Sequence, residues 1–377
     1  MDIKLDEIQL DITKEARRFL EKEMPMETVR ELFEDDRGYT DSLWKKMSEM
    51  DWMRIRIPEA YGGAEMEQLD LCIILEEMGR AVAPGPFFSS VQLAAEAILA
   101  AGSEDQKKAY LPKIADGKMI GTLALSEPDS GADTDYIQMP ARANGDGFVL
   151  NGTKLAVPDA HVADFLVVPA RTEPGTDPSQ GITLFLVDKD AEGLNITLLP
   201  TMDGTRKLCA VEFKDVSASG VLGEVNQGRK PLDKVLQRAQ VGLAAECIGG
   251  AQRAMELATD YAKIRVQFDQ PIGAFQAIKH ACAQMFVEVE SGRSLLYWAA
   301  WAQDNADEKE AALAASAVKS YCAEAYTKVA SSALQVHGGI GFTWENDIHF
   351  FLKRAKGNEL SLGDPAFHRE KIVQLLT

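Results

Sequence analysis

At 377 residues, 46% hydrophobic and 26% charged with only 15 prolines, the chain is long enough for two or three packed units, and its composition excludes a disordered protein. A formal net charge of −18 repels phosphates, which excludes non-specific partnership with nucleic acid or an anionic membrane. Any polyanionic ligand must therefore be met by local basic groups or by backbone N–H donors.

From the first residues to about Gly121 the pattern is helical, with Phe19, Leu32, Phe33, Leu43, Trp44, Met47 and Met50 recurring at spacings of three and four. Pro58, Gly62 and Gly63 punctuate it, as does Ala83-Pro84-Gly85-Pro86, and Ser103 with Gln106 carries a capping-box signature. Between about Gly121 and Gly228 the period changes to alternation rich in Val, Leu, Phe and Thr. Asn151-Gly152, flanked by Phe148–Leu150 and Lys154–Ala156, predicts a hairpin turn, and Asp164–Pro169, Ile182–Val187, Ile196–Leu199 and Ala210–Phe213 predict further strands. After Gly228 long helices return, expected over Leu232–Val266, Phe275–Gln303 and Lys309–Val336. The expected fold is α+β: an N-terminal helical domain over 1–120, a middle β domain over 121–228 and a C-terminal four-helix-type bundle over 229–377. The five cysteines, Cys72, Cys209, Cys247, Cys282 and Cys322, show no CxxC pair or metal-ligand spacing and read as reduced core residues, with no metal site. No apolar run approaches the roughly 20 residues that span a bilayer and no signal-type segment opens the chain, so the expected compartment is the cytoplasm.

Several groups invite a chemical reading beside a plain one. The loop Leu125-Ser126-Glu127-Pro128-Asp129-Ser130-Gly131-Ala132-Asp133 has the small residues that let backbone N–H groups approach a ring or phosphate, and is otherwise an ordinary surface turn. Arg265 reads as a solvated cation complementing a helix dipole, Gly338-Gly339 as a C-cap, and Asp233, Lys234 and Arg238 as a solvated face. His280 and His337 lie on or beside apolar helix faces and are assigned no role.

Three stretches together give these residues a second meaning. Gly102–Pro112 with the Leu125–Asp133 loop, then Tyr261, Arg265, Phe268, Pro271, Ile272, Gly273, Phe275 and Gln276, then Gln335–Phe342, make the chain from about Met50 onward resemble the acyl-CoA dehydrogenase family. The resemblance implies FAD as cofactor, an acyl-CoA substrate, electron-transfer flavoprotein as acceptor, and a homo- or hetero-oligomer. It implies that the backbone of Leu125 and the hydroxyl of Ser126 bond the flavin's polar edge. It further implies that Arg265 and Phe268 reach a neighbouring subunit's FAD, with Gln335 and Gly339 beside the adenosine part of the same cofactor.

The chain departs from the family where the proton is removed. Desaturation between the α and β carbons of a CoA thioester needs a glutamate beside the substrate. The position matching the common one is Leu362, before Gly363, and the position matching the minority one falls at Ala239-Gln240. The tryptophan and threonine expected near the flavin correspond to Ala156 and Pro158, and a serine to Ala132. Asp364 is the nearest carboxylate, but Asp364-Pro365 also reads as a helix N-cap with proline at the first helical position; Glu359 is a poorer candidate. These residues suggest an FAD-dependent acyl-CoA dehydrogenase-like subunit, resembling those of heteromeric members in which a partner supplies the glutamate. A nitroalkane-oxidase-like or monooxygenase-like flavoenzyme and a catalytically silent scaffold subunit are the rival readings.

Overall fold

The computed structural model describes residues 4–131, 133–173, 177 and 180–377. Ala132 lies outside the described residues. The chain runs through N-terminal helices, a middle set of strands and C-terminal helices. The first set is α1 (Glu7–Glu23), α2 (Met26–Glu34), α3 (Asp41–Glu49), α4 (Gln68–Arg80), a buried π-helix over Phe88–Ala95, α5 (Glu96–Ala101) and α6 (Glu104–Ala115). The capping box at the start of α6 forms as expected, with Ser103 and Gln106 satisfying each other's backbone N–H groups.

The strands are β1 (Gly121–Leu123), β2 (Ala141–Asn144), β3 (Gly147–Pro158), β4 (Phe165–Arg171), β5 (Ile182–Asp188), β6 (Leu194–Leu199), β7 (Leu208–Ser217) and β8 (Gly220–Leu222). They form two four-stranded sheets, ordered β1-β4-β5-β8 and β2-β3-β7-β6. One apolar cluster draws on both, with Leu166, Val168, Phe185 and Val187 from the first and Leu150, Val157, Val211 and Phe213 from the second. Every residue of β4 is buried, so that strand is covered on both faces.

The hairpin turn does not fall at Asn151-Gly152. β2 and β3 are joined at Gly145-Asp146, with Asn144 paired to Gly147, and β3 continues through Asn151 and Gly152 as an irregularity in its pairing with β7. The Asn151 amide instead reaches across to Asp215, donating to its carboxylate at 2.8 Å and accepting from its N–H at 2.9 Å. Gly152 is required by packing, since a Cβ there would lie 2.6 Å from the Met139 side chain.

The C-terminal helices are α7 (Arg229–Ile264), α8 (Gln276–Asn305), α9 (Glu308–His337), α10 (Ile348–Leu360) and α11 (Pro365–Leu376). α7 stops two residues earlier than its apolar period suggests, because Val266–Gln267 and Gln270–Pro271 pair as a small hairpin, β9 with β10.

By internal packing the described residues gather into two compact units: the chain up to Glu31 with 68–83 and 240–377, and 32–67 with 84–239. In the first, α9 packs on α8, α10 and α11, and α1 packs on α4. Its α4 and α7 touch backbone to backbone. A Cβ on Gly79 would sit 2.1 Å from the Glu246 carbonyl oxygen, and one on Gly249 would sit 1.7 Å from that of Glu76. Buried Arg354 donates to Glu246 at 3.4 Å and to the Ala83 carbonyl at 3.1 Å beside this crossing. In the second unit Arg238 corrects the expectation of a solvated face: it is buried, 3.7 Å from Glu96, which also takes Arg56 at 3.2 Å.

Gly249→Ala is expected to lower stability by about 1–3 kcal/mol or more, because the helices must separate to admit one methyl group. Gly220→Ala, whose added carbon meets nothing nearer than 3.9 Å, is the control. Denaturant midpoints check both, and an unchanged midpoint for Gly249→Ala would refute the close crossing.

Candidate functional site

The Leu125–Ser126 segment follows β1 and is held from one side. The Lys154 ammonium donates to the Leu125 carbonyl at 3.0 Å and to the Glu127 carboxylate at 2.8 Å, and the Leu155 N–H donates to the Ser126 carbonyl at 2.8 Å. Glu127 also accepts from the Gln138 and Met139 N–H groups at 3.0–3.1 Å. Among the described residues, nothing accepts from the Leu125 N–H, the Ser126 N–H or the Ser126 hydroxyl. Donors left in this way on a braced loop are candidates for the acceptor atoms of a ligand. Ala156 stands exposed at a second irregularity of β3 in left-handed backbone, so only a methyl group is offered there.

The remaining ligand candidates lie in the other unit. Arg265 follows the last residue of α7, and Ile272 donates back to its carbonyl at 2.8 Å, closing the β9–β10 hairpin. At its tip Phe268 and Asp269 both adopt positive φ, 52° and 63°. Asparagine and glycine tolerate that turn; a phenylalanine there is strained. Phe268 is also 86% exposed, touching only Phe275 edge-on among the rings of its neighbourhood. A strained, solvent-facing aromatic makes Phe268 a candidate functional position. The Arg265 guanidinium is exposed and has no ion-pair or hydrogen-bond partner among the described residues. Tyr261 stacks on His337 at 4.6 Å, which brings the end of α7 beside the end of α9, where Gln335 is exposed and a Cβ on Gly339 would meet nothing within 4 Å. His337 itself is buried with Nδ1 donating to the Ala333 carbonyl at 2.8 Å, an intrahelical role.

The segment matching the common base position is tightly held. Leu362 has φ 57° and Gly363 φ 94°, so a bulky side chain occupies left-handed backbone. His368 Nε2 lies 2.9 Å from the Leu362 carbonyl, which can only accept, so that nitrogen carries the proton. Lys319, fully buried, donates to the Gly363 carbonyl at 2.8 Å and the Glu359 carbonyl at 3.3 Å. Gln240, the second residue of the Ala239-Gln240 pair, donates to the Leu362 carbonyl at 3.5 Å. Asp364 caps α11, accepting from the Phe367 N–H at 2.7 Å with Pro365 first in the helix. Glu359 is taken by Thr327 at 2.9 Å and Lys356 at 2.8 Å. Burial pushes the Lys319 ammonium down to about 8 and the His368 imidazolium to about 4.

Sequence reasoning singled out none of Lys154, Glu127, Lys319 or His368 for a role. Lys154 shares strand parity with buried Leu150, and Lys319 shares a helical face with Ala315, Cys322 and Tyr326, so a lysine on an inward face was the available signal. No cluster of candidate metal ligands occurs among the described residues, and no described helix is long and apolar enough to cross a membrane.

Helices, a two-sheet middle and a helical bundle, with unpaired donors on a braced loop, define an acyl-CoA dehydrogenase-like oxidoreductase fold. Family models match along the chain: the acyl-CoA dehydrogenase N-terminal domain over residues 6–118, the middle domain over 122–216 and the C-terminal domain over 226–376. The caffeyl-CoA reductase-Etf complex subunit CarC of Acetobacterium woodii is 34% identical, covering 89% of this chain and 89% of that protein. The human mitochondrial short-chain specific acyl-CoA dehydrogenase is 32% identical over 97% of this chain and 89% of its own. Among solved structures, a variant of the Tcur3481-Tcur3483 steroid ACAD matches with a TM-score of 0.89 and 30% identity, covering 98% of each chain. The chain belongs to the acyl-CoA dehydrogenase family of flavoprotein oxidoreductases.

A pH signature follows from Lys319. The folded chain releases this proton near 8 and the unfolded chain near 10.5, so between these values the unfolded state binds more protons and stability rises with pH. Relative to Lys319→Met, the native protein is expected to gain stability across that window in denaturant titrations; a difference that stays flat or falls would contradict it.

Proposed function

We propose that this chain is an FAD-binding subunit of an acyl-CoA dehydrogenase that acts between the α and β carbons of a CoA thioester, with the catalytic carboxylate supplied by a partner chain. The observation that carries this reading is the mismatch at Leu362: the donor loop and the strained Phe268 tip are presented for a ligand, while both base positions hold groups that take no proton. Bound here, FAD would supply the acceptor for the hydride that leaves the β carbon. The residues of this chain bind and orient. Leu125 and Ser126 offer donors to the flavin's polar edge, whereas Arg265, Phe268, Gln335 and Gly339 serve a cofactor shared with a neighbouring subunit. Support for a heteromer comes from the steroid ACAD relative, whose name pairs two designations, and support for electron-transfer flavoprotein as electron acceptor from the subunit of an Etf complex.

Arg265→Ala is expected to weaken FAD retention at least tenfold, since a charge-assisted contact contributes roughly 1.5–3 kcal/mol. The visible absorbance of flavin retained after dialysis measures it. Unchanged flavin content would leave Arg265 as a surface cation of the helix end.

The activity test concerns Leu362. Alone, the native protein is expected to turn over acyl-CoA thioesters on the order of 10²–10⁴-fold more slowly than a base-containing enzyme, because positioned general-base catalysis is missing. Leu362→Glu places a carboxylate on backbone already held in the left-handed conformation and is expected to raise the rate. Asp364→Asn keeps a capping oxygen and is expected to leave the native rate unchanged. Rapid turnover by the native chain, abolished in Asp364→Asn with flavin and stability intact, would make Asp364 the base and overturn the proposal.

A further inference from the structure

We infer that the buried Lys154–Glu127 pair is a positioning device that tunes the electron affinity of a ring bound at the Leu125–Ser126 peptide, an inference that rests on the FAD reading above. The two ions sit where burial is expensive: Lys154 is 0% exposed and Glu127 8% exposed. Two hydrophobic residues would fill the same space without that cost, so the geometry of the pair needs a reason. It is supplied by what the ammonium touches besides its counter-ion. One of its hydrogens goes to the Leu125 carbonyl at 3.0 Å. That carbonyl and the Ser126 N–H belong to one peptide group, and in a trans peptide the two point in opposite directions.

The cation therefore stands directly behind an N–H that nothing among the described residues accepts from. Withdrawing electron density through the carbonyl strengthens that N–H as a donor, as chains of hydrogen bonds do in a poorly solvated interior. Glu127 completes the brace. Its carboxylate accepts from Lys154 and from the Gln138 and Met139 N–H groups, which anchors the loop to the chain leading into β2, while the Ser126 carbonyl is held by Leu155. Burial lowers the Lys154 pKa and the carboxylate opposes that shift, so the counter-ion favours the charged ammonium. A flavin ring gains negative charge on reduction, so a stronger donor at its edge favours the reduced form more than the oxidised form.

A brace that were only structural would lose flavin when either partner is changed, without a sign. The electrostatic role has one. With the holoprotein at mildly acidic pH, Lys154→Met removes the cation and leaves the carboxylate, and is expected to lower the flavin midpoint potential; a tenfold fall in the ratio of reduced to oxidised affinity corresponds to about 30 mV. Glu127→Gln keeps the cation, keeps an oxygen for the two N–H groups, and is expected to raise the potential. Opposite shifts in proteins with native circular dichroism support the inference. Shifts of the same sign, or native potentials in both variants, overturn it while leaving FAD binding intact. If Lys154→Met does not fold, Glu127→Gln decides alone: an upward shift supports the inference, and a downward or absent one overturns it. Native protein that takes up no flavin when FAD is supplied overturns the FAD reading, and this inference with it.

Discussion

The crossing of α4 and α7 is the constraint on which the helical unit depends. Two glycines, Gly79 and Gly249, let each helix rest on the other's carbonyl groups, and no side chain fits between them. The polar groups beside this crossing are paired: Arg293 with Glu76, Arg17 with Glu77, Arg80 with Glu256, and Arg354 with Glu246. Of these, Arg354–Glu246 is fully buried, so breaking it singly is costly although the intact pair contributes little net stability. With α7 seated in this way, its far end meets α9 through the Tyr261–His337 stack, and the Arg265 hairpin leaves from a defined point.

The Leu362 segment shows how a backbone can outlast the chemistry expected of it. Three side chains hold two consecutive residues, His368 and Gln240 on the Leu362 carbonyl and Lys319 on that of Gly363, and the next residue, Asp364, caps α11. Leucine in left-handed backbone is unfavourable by itself, and this enclosure over-determines the conformation. The side chain at 362 is therefore set by position more than by its own preferences. That is why a change of residue there alters what is presented without altering where.

Much of the architecture was legible because it is carried by period. The switch from three-and-four spacing to alternation and back is a property of consecutive residues, and so are the Ser103 and Asp364 caps. What was not legible depends on partners distant in the chain. Asn151-Gly152 has turn chemistry, yet Asp215 and Met139 hold it inside a strand, and Gly145-Asp146 turns instead. Arg238 looks solvated among Asp233 and Lys234 until Glu96 is brought to it. At the candidate site, the family pattern pointed to Leu125, Ser126, Arg265 and Phe268, but the unpaired donors and the strained tip are facts of three-dimensional structure. Lys154 behind the donors and Lys319 behind Gly363 carry no motif, only the wrong polarity for their face.

The interior of α9 has a consequence for how the bundle responds to temperature. Its buried face is mostly small, with Ala311, Ala314, Ala315, Ala323, Ala325, Ala330 and Ala333 around Val318, Val329 and Tyr326. Alanine has no rotamers to lose, so ordering this helix costs less side-chain entropy than a leucine-lined one, while each residue also removes less apolar surface from water. The first effect lowers the penalty that grows with heat, and the second reduces the heat-capacity change of unfolding. A smaller heat-capacity change lowers the curvature of stability with temperature, so the contribution of this helix varies less between cold and warm conditions than that of a leucine-lined one.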